Sequence, residues 1–343
     1  MTIKNGTAGA DTLIGTTSAD QLFGKDGNDI LKGLAGPDLL DGGDGSDTAN
    51  YGGSIGTVGV NLTTGLGFNA DAAGDTYVSI ENVVGSSFSD SLNGNSLANQ
   101  LLGGLGNDSL FGGIGNDTLL GGGNNDFLVG GTGADVINGG GGQDRVSYTD
   151  SSLGVIVNLS TGLTIGGDAA GDTFTSIEGL IGSTGDDNLA GTAGANFLNG
   201  FTGNDRLFGF AGNDLMVGSS GADTMTGGDG ADRFAFDVAQ ESPAGFFVRD
   251  VIQDFNLAPG DIPQPQGDVL DLSFIDANPV DSVDDSFEFL GKGGSSFDGP
   301  GQIQFVFENN TTVVQINMVG NDTPEMEIQL QGQIDLVASD FLL

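Results

Sequence analysis

Aspartate recurs at every ninth residue through much of this chain, and evenly spaced carboxylates set among glycines form a donor set for a hard cation. The pattern is plainest over residues 103–138, where Gly-Gly-x-Gly-x-Asp-x-apolar-x runs four times, with Asn124 in place of one glycine. Its aspartates are Asp108, Asp117, Asp126 and Asp135, each followed two residues later by Leu110, Leu119, Leu128 or Ile137. Carbonyl oxygens of a tight turn plus one carboxylate suit calcium rather than zinc. The competing account of each aspartate is a turn residue that bonds its own backbone. Recurrence at nine, with glycine on either side, favours ligation.

The elements that must position these carboxylates follow from the same nine residues. Glycine at positions 1, 2 and 4 permits positive φ and close approach of carbonyl groups. The apolar residue at position 8, between two residues that point outward, reads as a three-residue strand with one buried side chain. Nine residues cannot enclose a core, so the units must stack into a solenoid.

These residues resemble the RTX, or haemolysin-type, calcium-binding nonapeptide. The resemblance implies a parallel β-roll in which two nonapeptides make one turn and calcium lies between a turn and the one 18 residues on. The expected fold class is therefore all-β, a parallel β-roll solenoid capped by a C-terminal antiparallel β-sandwich-like domain.

Five repeats fill the block within residues 1–50, seven fill 85–147 and six fill 182–235. The expected metal ligands are Asp11, Asp20, Asp29, Asp38 and Asp47 in the first block, and Asp108, Asp117, Asp126, Asp135 and Asp144 in the second. In the third they are Asp187, Asp205, Asp214, Asp223 and Asp232. Phe88 and Leu97 replace glycine in the turns that open the second block, which are not counted as sites. One calcium per pair of stacked turns gives roughly a dozen ions.

Two inserts, 51–84 and 148–181, repeat each other at an offset of 97: Asp71-Ala-Ala-Gly-Asp75-Thr76 recurs as Asp168-Ala-Ala-Gly-Asp172-Thr173. Each insert is close to two turns long and is expected to continue the roll as degenerate turns; a loop domain at its side is the alternative. Asp71, Asp75, Asp168 and Asp172 read as solvated turn residues, with catalytic or ligand roles as the alternatives.

From residue 236 to 343 glycine thins out and seven of the eight prolines appear. Short alternating segments there suggest antiparallel strands. The tract resembles the C-terminal domain of serralysin-type secreted proteases through Asp232-Arg-Phe234, Asp250-Val-Ile-Gln-Asp254-Phe255 and Gly267-Asp268-Val-Leu-Asp271-Leu272. The closing Asp340-Phe341-Leu342-Leu343 is similar to that family's uncleaved type I secretion signal. No N-terminal signal peptide is read, so the resemblance implies a secreted, extracellular protein exported by a Gram-negative-type apparatus.

Composition narrows the partners. There are 47 acidic and 8 basic residues, a net charge of −39, which argues against nucleic acid and anionic membrane. No stretch is apolar enough for a transmembrane segment. Cys and His are absent, which removes thiol, imidazole and zinc-protease chemistry. Gly52-Gly-Ser-Ile-Gly56 matches a nucleophile-elbow string, but no imidazole base exists to activate its serine.

The expected function is a secreted calcium-binding protein, not an enzyme, whose repeats fold on meeting extracellular calcium. It would act as a structural or surface-interaction component, with the type I apparatus and an extracellular or cell-surface partner. A carboxylate-based polysaccharide enzyme and a membrane-active RTX factor are the alternatives. Ordering nine backbones costs about 9–18 kcal/mol, whereas burying one leucine returns about 1.5–3. Without a cation the repeats should be an expanded polyanion.

Overall fold

The computed structural model describes the chain apart from residues 239–240, 246–247, 259–261, 264–266, 278, 280–285 and 294–296, so parts of the C-terminal segment lie outside the described residues. Among the described residues the structure is β throughout, with short 3-10 turns at Ala70–Ala72, Gly167–Ala169 and Ala338–Asp340. No helix there is long and apolar enough to cross a membrane. Two compact units are present, Met1–Tyr148 with Thr164–Ile177, and Thr149–Leu163 with Glu178–Leu343.

In the first unit successive nonapeptides alternate between two parallel sheets, and each strand pairs with the one 18 residues on. Leu22 lies beside Leu40 in one sheet, Leu101 beside Leu119 in the other, and Leu110 beside Leu128. That register stacks identical positions, so the position-8 side chains form continuous rows: Leu22, Leu31, Leu40, Leu92, Leu101, Leu110, Leu119 and Leu128 are fully buried. Each contributes about 1.5–3 kcal/mol.

The first insert keeps the ladder but reverses one strand. Thr76–Val78 pairs in parallel with Leu39–Asp41, and Asn82–Val84 lies between Thr48–Asn50 and Gln100–Leu102. Gly59–Asn61 pairs in parallel with Ser91–Asn93, and Leu66–Phe68 runs antiparallel against it. The chain thus lays its forward strand down first and returns to fill the place beside the preceding coil. Equivalent strands of the second insert follow the same rule, Thr173–Thr175 beside Val136–Asn138 in the first unit and Ile156–Asn158 beside Asn188–Ala190 in the second.

In the second unit the two sheets run on past the last repeat. Val251–Ile252 pairs in parallel with Thr224–Met225, and Val269–Asp271 with Arg233–Ala235. Ile252 and Leu270 thereby extend the buried rows of Met225 and Phe234. The antiparallel strands expected from the alternation are present as Gln302–Glu308, Thr311–Asn317 and Met326–Gln331. They are fused to the roll, because Gln329 pairs in parallel with Val251. Phe341–Leu342 closes the other sheet against Leu270–Asp271, with the Phe341 ring 4.9 Å from that of Phe289.

Arg249 fastens that junction. Its buried guanidinium donates to Glu327 Oε2 at 3.0 Å and to Gln329 Oε1 at 2.9 Å. Arg249→Leu leaves the largely buried Glu327 carboxylate without its cation and is expected to cost about 3 kcal/mol. The measurement is the urea midpoint at saturating calcium; an unchanged midpoint would refute this role.

Candidate calcium-binding turns

Most repeat aspartates are held by the backbone of the coil before them, the exceptions being Asp11, which has no such bond, and Asp90 and Asp187, whose Oδ1 atoms accept the N–H groups of Val58 and Val155 in the inserts. In the others Oδ1 accepts the N–H of the residue 18 positions earlier, as in Asp108 to Asp126 at 2.8 Å, Asp117 to Asp135 at 2.8 Å and Asp205 to Asp223 at 2.7 Å. Parallel in-register stacking forces this ladder, since like positions lie directly above one another. A second ladder on position 5 runs in the opposite sense. Asn107, Asn116 and Asn213 Oδ1 accept the N–H of Asn125, Ala134 and Ala231, each 18 residues later.

In eleven of these aspartates the other carboxylate oxygen has no partner within the protein. Oδ2 of Asp29, Asp38, Asp47, Asp108, Asp117, Asp126, Asp135, Asp205, Asp214, Asp223 and Asp232 is buried and accepts no hydrogen bond. Leaving an ionised oxygen in that state is costly, so the recurrence calls for a ligand that the protein itself does not supply. Asp108 illustrates the surroundings. A Cβ on Gly103 would collide with Asp108 Oδ2 and stand 2.7 Å from the Gly121 carbonyl oxygen, so glycine leaves room where a carboxylate and a carbonyl from the next coil converge. No group of three or more acidic, His or Cys side chains among the described residues is placed to hold a metal. Backbone carbonyls must therefore complete any coordination, as hard-cation chemistry allows. The donor set fits calcium.

Electrostatics agree. Burial, with neighbouring aspartates adding to it, lifts the carboxyls of Asp38 and Asp108 to about 7 and Asp205 to about 8. Burial likewise raises Asp223 to about 7, and Asp117, Asp126, Asp214 and Asp232 to about 6. Asp47, Asp135 and Asp144 also shift upward through burial.

Asp11, Asp20 and Asp187 differ, and the reason is local. Asp11 Oδ2 accepts the N–H and hydroxyl of Thr7, Asp20 Oδ2 those of Thr16, and Asp187 Oδ2 the N–H of Ser183. Asp90 and Asn99 are closed likewise by the N–H groups of Ser86 and Asn95, and Asn196 by that of Thr192. The Thr7 backbone bond holds Asp11 below its usual range, and the Thr16 hydroxyl brings Asp20 to about 2. The first two repeats of every block are thus satisfied internally. Position 2 is Thr7, Thr16, Ser86, Asn95, Ser183 and Thr192 in these repeats, but Ser219 holds the same position before Asp223, whose Oδ2 has no partner, so residue type alone does not mark them.

Asp75 and Asp172 are buried, not solvated as expected. They stand in the ladder as the next position-6 residues after Asp38 and Asp135, whose N–H groups they accept at 2.8 and 2.9 Å. Asp250 is a further member that nonapeptide counting missed. It accepts the Asp223 N–H at 2.8 Å across a gap of 27 residues, and its buried Oδ2 has no partner. The Asp-x-apolar string Asp250-Val251-Ile252 was the available signal. Asp268 accepts the Asp232 N–H, but its Oδ2 is closed by Asn256 N–H at 2.6 Å.

Fold and turns together define a parallel β-roll solenoid with calcium-binding glycine turns. The RTX calcium-binding nonapeptide repeat model matches residues 5–33, 23–58, 84–119, 120–149, 181–216 and 208–237, together just over half of the chain. The chain belongs to this family of RTX calcium-binding repeat proteins. No curated protein matches it. Among solved structures it is similar to the AlgE6R3 subunit of the Azotobacter vinelandii mannuronan C5-epimerase, at 27% identity over 46% of this chain and 79% of that one, with a TM-score of 0.33. The AlgE6R2 subunit is 26% identical over 47% of this chain and 90% of its own, with a TM-score of 0.33. Extracellular lipase LipA of Serratia marcescens is 16% identical over 74% of this chain and 40% of its own, with a TM-score of 0.25.

Proposed function

We propose that the protein is a secreted, non-enzymatic RTX protein that folds outside the cell on binding about a dozen calcium ions, and acts there as a structural or surface-interaction component. The observation that carries this reading is the row of buried Oδ2 atoms that no protein group satisfies. Asp29, Asp38 and Asp47, Asp108 to Asp144 at intervals of nine, and Asp205, Asp214, Asp223 and Asp232 are the proposed ligands, with Asp250 added. Asp11, Asp20 and Asp187 are proposed as ion-free end caps. Blocks 1–50, 85–147 and 182–235 would be the ion arrays, spaced by 51–84 and 148–181 and closed by 236–343.

Bound calcium would supply the positive charge that stacked carboxylates need, and its binding free energy would become folding free energy. The chain's own part is to order the glycine turns and to keep the carboxylates dry. Export through a type I apparatus fits a chain that stays unfolded where calcium is scarce. In the folded state Phe341 is buried in a strand, so a C-terminal signal would be read before folding.

The test is a calcium titration of the ion-stripped chain followed by far-ultraviolet circular dichroism, with magnesium as control and bound ions counted by equilibrium dialysis. A calcium-specific coil-to-β transition with about a dozen ions is expected. Full β signal in the stripped protein at neutral pH would sink the reading.

A further inference from the structure

The two inserts solve the orphaned-oxygen problem without an ion. Asp75 Oδ1 accepts the Asp38 N–H as a repeat aspartate would, but its Oδ2 accepts the Tyr51 hydroxyl at 2.7 Å. Asp172 does the same, with Oδ2 accepting the Tyr148 hydroxyl at 2.8 Å. All four side chains are buried, with relative exposures of 3% and 2% for the tyrosines and 0% and 1% for the aspartates. In the first insert Tyr77 adds a second hydroxyl, 2.6 Å from that of Tyr51, while Phe174 holds the matching place in the second. Tyr77 also fills the core position beside Leu40.

We infer that Tyr51 and Tyr148 are surrogate ligands: each hydroxyl takes the place beside a ladder carboxylate that a cation takes in the repeats, so that each insert is an ion-free coil dividing the calcium array. This rests on the calcium reading above and assigns the inserts a role within it. A phenol donates one short hydrogen bond to a carboxylate from a fixed ring and needs no cation, so the coil closes at any calcium concentration that orders its neighbours. Three arrays result, and the first two are each bounded on the C-terminal side by a carboxylate ladder that continues into a coil without calcium. These are the chain's only three tyrosines, and tryptophan is absent, so tyrosine emission reports on the inserts alone.

Full-length variants test the idea by counting bound ions at saturating calcium. Asp75→Asn and Tyr51→Phe are expected to bind as many ions as the parent, whereas Asp117→Asn binds one fewer. Tyr51→Phe should also lower the thermal midpoint by about 5 °C at saturating calcium, because it orphans a buried carboxylate. The same substitution made in the Asp75→Asn background should cost far less. A count that falls by one in Asp75→Asn would overturn the inference while leaving the calcium reading intact. An unchanged count in Asp117→Asn would instead strike the calcium reading. If Asp75→Asn does not fold, Asp172→Asn serves: an unchanged ion count is expected, and one ion lost there overturns the surrogate role.

Discussion

Gly122→Ala is expected to disrupt the second block even with calcium in excess. Gly122 sits at φ +116°, and an added Cβ would collide with the Gly104 carbonyl oxygen of the coil below. Unfavourable φ costs about 1–3 kcal/mol, and overpacking against a backbone that is itself stacked costs about 1–3 more. A loss of about 2–6 kcal/mol is a large share of the 5–15 that holds a typical domain together. Gly141 supplies the control, since it lies in the same pair of sheets, lacks positive φ and has nothing within 4 Å of an added Cβ. The measurement is the denaturation midpoint of Gly122→Ala and Gly141→Ala at saturating calcium. Equal midpoints would show that coil stacking tolerates a methyl group and that the glycine turn is not as tight as described.

Acid should partly replace calcium. Eight repeat carboxyls are lifted to between about 6 and about 8, chiefly by burial. A folded-state pKa above the unfolded value means that the folded roll holds more protons than the unfolded chain, so stability without the ion rises as pH falls. That contribution is full below about 4, where unfolded aspartate titrates, and is lost as pH rises through the folded values from about 6 to about 8. The ion-stripped chain is therefore expected to gain β signal between pH 8 and pH 4.5, and loss of much of the net charge of −39 acts in the same direction. Calcium must displace these protons, so its apparent affinity should weaken on acidification. Identical dichroism spectra of the stripped chain at pH 4.5 and pH 8 would rule out the buried, partnerless state of the Oδ2 atoms.

The nine-residue period carried most of the fold. Asp-x-Leu at fixed spacing dictates one carboxylate and one buried side chain per strand, and a unit too short for a core must stack on copies of itself. The buried row of Leu101, Leu110 and Leu119 was therefore legible before any coordinates, while its register at 18 followed from the resemblance to RTX repeats. The candidate calcium donor set was legible too, because residue type and period alone specify hard oxygens in a row. Thr7, Thr16 and Ser183 were equally visible, but whether the Thr7 and Thr16 hydroxyls and the Ser183 N–H close Oδ2 of Asp11, Asp20 and Asp187 depends on where each Oδ2 points.

Tertiary structure decided what lies outside the period. Asp75, Asp172 and Asp250 enter the ladder across gaps of 37, 37 and 27 residues, which no count of nine reveals. Their places are set by the coil beneath, whose free N–H must find an acceptor once it is buried. For the same reason the reversed strand Leu66–Phe68 and the fusion of Met326–Gln331 to Val251–Ile252 were not readable from the chain. Local sequence determines the form of each coil and the carboxylate it offers; which distant residue closes that coil, a cation's oxygen neighbours or a tyrosine hydroxyl, is settled only when the backbone hydrogen bonds of stacked coils are satisfied together.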